Sequence, residues 1–339
     1  MDSITQATLG AAVGEAFLGK KAGYRAAVWG AVVGTLPDLD IIVNPFVDAV
    51  NELYFHRNIT HSFFFAFAAA PVFGWLIDRF HQNLEIGWKR WANLSFWVIL
   101  THILIDIPTI YGTQIFQPFS NYPVSTGSIF IIDPLFTFPL LIGLITARLF
   151  RNNNYVQFRA NLAGLILSSL YLFWGLGIKA HVHSVFQQSF HNQYGYVDKM
   201  ISTPNGPTTF LWNGYIVQGD TIYQGTYSIF DSDTDIRFRH IPRNSHKIEP
   251  FSGDRAYEAL MWFSRGYYTV NVDENGELIF YDLRFGRDDL WLTEDGGYVW
   301  ANRLIIDKEG NAYTFEQFIP SFDVRARNLQ LFWQRIWVK

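Results

Sequence analysis

The hydrophobic pattern divides the chain in two. In the first part mostly apolar segments of a dozen or more positions follow one another; in the second apolar residues come in short stretches bounded by Gly, Pro, Asn and Asp. Two small-residue segments come first, Thr5 to Leu18 and Tyr24 to Leu36, with Gly10, Gly14 and Gly19 spaced to let another helix approach closely. Each is shorter than the roughly 20 residues that cross a bilayer, which predicts a tight or re-entrant helical pair. Pro37 closes the second segment, and Asp38 to Asn58 reads as a loop. Longer runs follow at His61 to Ile77, Trp91 to Ile107, Ser128 to Phe150 and Asn161 to Ile178, and each is predicted to span a membrane.

After His191 the pattern changes. Thr203-Pro204-Asn205-Gly206-Pro207 is a turn cluster, and short strands are predicted within Phe210 to Phe230, with turns at Gly214, Gly219-Asp220 and Gly225. Tyr267 to Val272 and Leu278 to Phe285 form a hairpin across Asp273-Glu274-Asn275-Gly276, preceded by a helix between Asp254 and Phe263. Further strands are expected at Tyr298 to Ile306 and Ala312 to Phe318, then an amphipathic helix from Arg325 to Val338 that either lies on the bilayer or closes the β domain. The expected fold is an α-helical membrane domain over 1–195, with about four long spans plus the short helical pair. A mostly β domain over 196–339 with a C-terminal helix follows it.

Composition agrees with an embedded half and a polar half. Hydrophobic residues are 49%, aromatics 18% and charged residues only 17%, yet a mean hydropathy of +0.07 excludes a wholly intramembrane chain. A net charge of -4 offers no basic field for nucleic acid. Cysteine is absent, so disulfides, thiolate nucleophiles and Cys-bound zinc are excluded, and any metal site must be built from His and carboxylate. Lys and Arg fall in alternate loops: Lys20, Lys21 and Arg25; Arg79, Lys89 and Arg90; Arg148, Arg151 and Arg159. The positive-inside rule makes those loops cytoplasmic, which puts the other helix ends and the β domain outside.

That topology gathers the titratable groups of the apolar half at one face. His102 and Asp106 are four apart, one helical turn, and can hold one divalent ion together. His56 and His61, with Arg57 between them, mark a helix entrance; Asp38 and Asp40 flank Leu39; Asp133 precedes Pro134. These supply more ligands than one tetrahedral ion requires, so one or two ions fit the set. Each residue also has a structural reading, and for Asp38 and Asp133 taken singly a helix cap is the ordinary one. Arg57 either steadies an anionic substrate or pairs with a carboxylate. His181 is a weaker candidate, and His183 is read as structural.

The motifs Pro37-Asp38-Leu39-Asp40, His56-Arg57-x-x-Thr60-His61-Ser62, His102-x-x-x-Asp106 and Asp133-Pro134-Leu135-Phe136-Thr137 resemble the bacterial membrane-bound metal-dependent hydrolases of the YdjM type, through about Lys179. The resemblance implies a metal-dependent hydrolase of the inner membrane, remotely similar to zinc-dependent phospholipase C. Its acidic and imidazole positions fall on Asp38, Asp40, His56, His61, His102, Asp106 and Asp133. Members commonly carry Thr-His in the first helix where this chain has Thr5-Gln6, so one ligand is lost or that position only supports the others. The expected function is a multi-pass, metal-dependent hydrolase, with zinc as its ion and its C-terminal domain extracytoplasmic. Its site lies at the outer membrane face and takes a phosphoester of a lipid or lipid-linked molecule. Asp38 or Asp106 would activate water, with Arg57 beside them. Two alternatives belong to other classes: a divalent-cation carrier, or a non-catalytic membrane anchor with a partner-binding β domain and a structural metal site.

Overall fold

The computed structural model describes residues 1–294, 296–318 and 326–337. Seven helices come first: α1 (Ser3–Ala22), α2 (Tyr24–Thr35), α3 (Ala49–Phe55), α4 (Phe63–Phe80), α5 (Trp88–Asp106), α6 (Pro134–Leu149) and α7 (Asn154–Tyr194). Strands β1 (Lys199–Pro204), β2 (Leu211–Gln218), β3 (Thr221–Ser228) and β4 (Arg239–Pro242) follow, then α8 (Arg255–Ser264). The last elements are β5 (Tyr268–Val272), β6 (Leu278–Asp282), β7 (Ala301–Ile306), β8 (Ala312–Phe318) and α9 (Ala326–Trp337). The chain forms two units, one of residues 1–42 and 55–176, the other of residues 43–54 and 177–339.

In the first unit α1 and α2 pack backbone against backbone. A Cβ added at Gly10 would lie on the Gly30 carbonyl, and one at Gly14 on the Ala26 carbonyl, so the small residues are what permit the approach. Gly19 does not share this role, since a Cβ there would meet the Glu15 side chain of its own helix. Trp91, Leu94, Val98 and Ile99 of α5, all fully buried, fill the centre of this unit together with Leu9 and Val13 of α1. At the end of α2 the segment expected to be a loop is ordered. Pro37–Phe46 is a 3-10 helix and α3 follows it.

Among the described residues two helices, α4 and α7, are long and apolar enough to cross a membrane. There is a third only if α2 and the 3-10 segment, bent by 41°, form one broken span. The four expected spans therefore reduce to two or three. α6 has 16 residues, about 24 Å of helix at 1.5 Å per residue against a hydrocarbon core of about 30 Å. α5 is long enough, but Lys89, Arg90, Asn93, Thr101, His102 and Asp106 dilute its apolar face.

The second unit holds two antiparallel four-stranded sheets, β1-β2-β3-β4 and β5-β6-β7-β8. Gly219-Asp220 makes the expected turn between β2 and β3, whereas Gly214 and Gly225 lie inside those strands, directly opposite each other. A Cβ at Gly214 would collide with the Phe186 ring, so this glycine makes room for a core aromatic. The expected hairpin is β5-β6, in register from Tyr268 opposite Asp282 to Val272 opposite Leu278. α9 closes the first sheet: Phe332 and Ile336 are buried with Leu211, and Arg335 grips Asp231 at 2.8 Å. Arg325 and Val338, the ends of the helix expected from sequence, lie outside the described residues.

Candidate metal centre

His102 and Asp106 stand one turn apart on the buried face of α5, as the helical period requires. Pro37 stops α2, and the first turn of the 3-10 helix presents Asp38 and Asp40 beside them. Ser62 caps α4 by accepting from the Phe65 amide at 3.0 Å, and the short turn Ile59–His61 ahead of that cap turns His61 inward. Arg57 adopts φ 57°, a left-handed conformation that is strained for a non-glycine residue. Its amide donates to Asp40 Oδ2 at 2.8 Å, and its carbonyl accepts from the Gln114 amide at 3.1 Å, which holds it there.

One ligand atom from each of Asp38, His61, His102 and Asp106 meets the others within 4.8 Å. His61 Nε2 lies 3.1 Å from His102 Nε2, 3.3 Å from Asp38 Oδ1 and 3.5 Å from Asp106 Oδ2. His102 Nε2 lies 3.6 Å from Asp38 Oδ1 and 3.7 Å from Asp106 Oδ2. A tetrahedral ion with ligands at 2.0–2.1 Å has edges of about 3.3 Å, so the spacing suits a zinc-sized cation.

His102 Nδ1 lies 2.7 Å from the Gly34 carbonyl oxygen, which can only accept, so Nδ1 carries the hydrogen and Nε2 presents a lone pair. With its proton on Nδ1, where Thr60 Oγ1 lies at 3.0 Å and Asp40 Oδ2 at 3.6 Å, His61 presents Nε2 in the same state. Two imidazole lone pairs and two carboxylate oxygens then converge with no hydrogen to share. Asp106 Oδ2 is buried without a hydrogen-bond partner. A cation is what such a set of acceptors fits.

Around this group the other carboxylate oxygen of Asp106 is saturated with donors. The Met1 amino group donates to Oδ1, Gln6 Nε2 donates at 3.1 Å, and the Arg57 guanidinium lies 3.5 Å away. Arg57 also donates to Thr109 Oγ1 at 2.9 Å and is almost fully buried, so of its two readings the structure carries the carboxylate partner. Gln6 touches Asp106 and the His102 carbonyl and is not among the four ligands, so it supports a ligand. Asp40 and His56 pair with each other, Oδ1 to Nδ1 at 3.2 Å, one layer outside the four.

Asp133 lies elsewhere in the first unit. It caps α6 by accepting from the Leu135 amide at 3.1 Å, and its other oxygen accepts from Tyr171 Oη at 2.9 Å. Burial pushes its carboxyl up to about 7. His181 and His183 lie on α7 in the second unit, and the four-residue group does not include them. Sequence reasoning missed the Met1 amine, the Gly34 carbonyl, Thr109 and Tyr171. Only Thr109 carried a signal, three residues beyond Asp106 at the helix end, where its hydroxyl donates to the Asp106 carbonyl at 2.7 Å.

A family model described as YdjM inner membrane protein matches residues 1–182. That stretch is just over half of the chain and contains the whole metal centre. Comparison with curated proteins and with solved structures finds no match.

Proposed function

The chain belongs to the YdjM inner membrane protein family, and from that premise we propose that it is an integral-membrane hydrolase whose site, Asp38, His61, His102 and Asp106, holds one divalent ion, zinc. The site faces the extracytoplasmic side and takes a phosphoester of a lipid or lipid-linked molecule. The observation that carries this reading is the convergence of two imidazole lone pairs and two carboxylate oxygens with the His102 tautomer set by Gly34. The ion supplies Lewis acidity toward water and toward an ester or phosphoryl oxygen.

The residues divide the remaining work. His61, His102 and Asp106 are buried and fix the geometry, while the Asp38 side chain, 21% exposed, is the one of the four that solvent and substrate reach. Arg57 and Gln6 hold Asp106 in place and oppose its rotation. His56, one quarter exposed and anchored through Nδ1 on Asp40, leaves Nε2 as the atom that takes or gives a proton at the mouth of the site. Lipid substrates suit a site next to apolar helices.

One observation favours a second reading, the anchor with a structural ion: four protein donors saturate a tetrahedral metal, whereas catalytic zinc sites keep a position open. Elemental analysis of detergent-purified protein, with a screen of lipid phosphoesters for headgroup release, separates the two. The hydrolase requires a bound divalent metal that His102→Ala/Asp106→Ala loses, and release that stops on chelation. Bound metal without turnover of any phosphoester supports the anchor. Protein that stays metal-free in zinc, manganese and magnesium removes both.

A further inference from the structure

The first unit contains a second polar hollow, of about 370 Å³, bordered by the C-terminal end of α1, the start of α2, the end of α6 and the start of α7. We propose that it binds the phosphate headgroup of an anionic phospholipid. Lys20, Arg148 and Arg151 line it, together with Glu15, Tyr24 and Gln157. Lys20 Nζ lies 4.9 Å over the Phe158 ring, and among the described residues no carboxylate pairs with any of the three cations. The one carboxylate of the hollow is engaged instead by an amide, Gln157 Nε2 donating to Glu15 Oε1 at 2.5 Å. Lys20 and Arg148 sit in the last turns of their helices, where a cation complements the helix dipole. Arg151, just beyond the C-cap of α6, faces the same space.

The surroundings decide the source of the phosphate. Leu149 is 74% exposed, Phe150 52% and Tyr155 62%, all beside the hollow in sequence, and Ile142 and Ile145 continue the exposed apolar surface along α6. A free anion in water gains nothing from such a rim. A lipid lays its headgroup among the cations and its acyl chains on α6. Basic pockets between membrane helices take acidic headgroups in this way. Small residues keep the hollow open: Gly23 and Ala147 line it without filling it.

The test is native mass spectrometry of the delipidated full chain in detergent, titrated with phosphatidylglycerol, phosphatidylcholine or inorganic phosphate. Wild type is expected to retain phosphatidylglycerol and not phosphatidylcholine. Arg148→Gln/Arg151→Gln should weaken retention about 25-fold, at about fivefold per cation. If that pair misfolds by circular dichroism, Lys20→Gln alone should cost about fivefold. Lys89→Gln/Arg90→Gln on α5, outside the hollow, should leave retention unchanged. Three results would overturn the assignment: equal binding by Arg148→Gln/Arg151→Gln, an equal loss in the α5 pair, or displacement of the lipid by equimolar inorganic phosphate.

Discussion

His61→Ala should abolish metal-dependent stabilisation of this protein. His61 Nε2 takes part in three of the five close approaches among the ligand atoms, at 3.1, 3.3 and 3.5 Å. Its removal therefore leaves His102 and Asp106 on one helix with no imidazole facing them. An ion at a hundred times its Kd stabilises a folded site by about 2.7 kcal/mol. For a domain of 150–250 residues each kcal/mol moves Tm by about 2–4 °C, so wild type should melt about 5–11 °C higher in zinc than in chelator. The assay is thermal unfolding in detergent, read as the zinc-minus-chelator difference, which cancels any general loss of stability in the variant. His61→Ala should show a difference near zero, and His56→Ala, outside the four, should keep most of it. An unshifted wild type, or a His61→Ala protein that shifts as far as wild type, would refute the lone-pair argument.

Gly30→Val should force α1 and α2 apart, because its Cβ falls on the Gly10 carbonyl; the expected cost is about 1–3 kcal/mol or more. Gly177→Ala, with nothing within 4 Å, is the silent control in the same melting or gel-filtration measurement. Asp133→Asn tests the buried cap. With its folded pKa raised to about 7 against an unfolded value near 3.9, Asp133 binds more protons in the folded state. Its contribution to stability is therefore full below about pH 4 and lost as pH rises through about 7. The shift corresponds to a few kcal/mol at most, on the order of 4. Stability against pH should flatten over that interval in Asp133→Asn, and an unchanged slope would contradict the burial argument.

The parts of the site that a period or a turn fixes were legible in the sequence. His102 and Asp106 follow from four residues being one helical turn, and Asp38 and His61 from their places at a helix end and a helix entrance. Contacts made by atoms that every residue possesses were not legible, the Gly34 carbonyl first among them. Gly19 shows the limit of spacing, because its Cα–Hα faces Glu15 of its own helix while Gly10 and Gly14 face α2. Gly214 and Gly225 carried turn chemistry in the sequence and strand pairing in the structure, since only the fold places Phe186 against Gly214. The span count failed for a related reason. An apolar run does not reveal where the helix inside it starts, and Ser128 to Phe150 yields helix only from Pro134.

The hydrogen bond from His102 to the Gly34 carbonyl has an evolutionary consequence. A carbonyl belongs to the main chain and is common to all twenty amino acids, so no replacement of the side chain at position 34 can delete the acceptor that keeps His102 in its metal-binding tautomer. Selection can reach that bond only by displacing the end of α2 as a whole. Mutational drift at position 34 should therefore register as a change in helix packing long before it registers as a change in the chemistry of the imidazole.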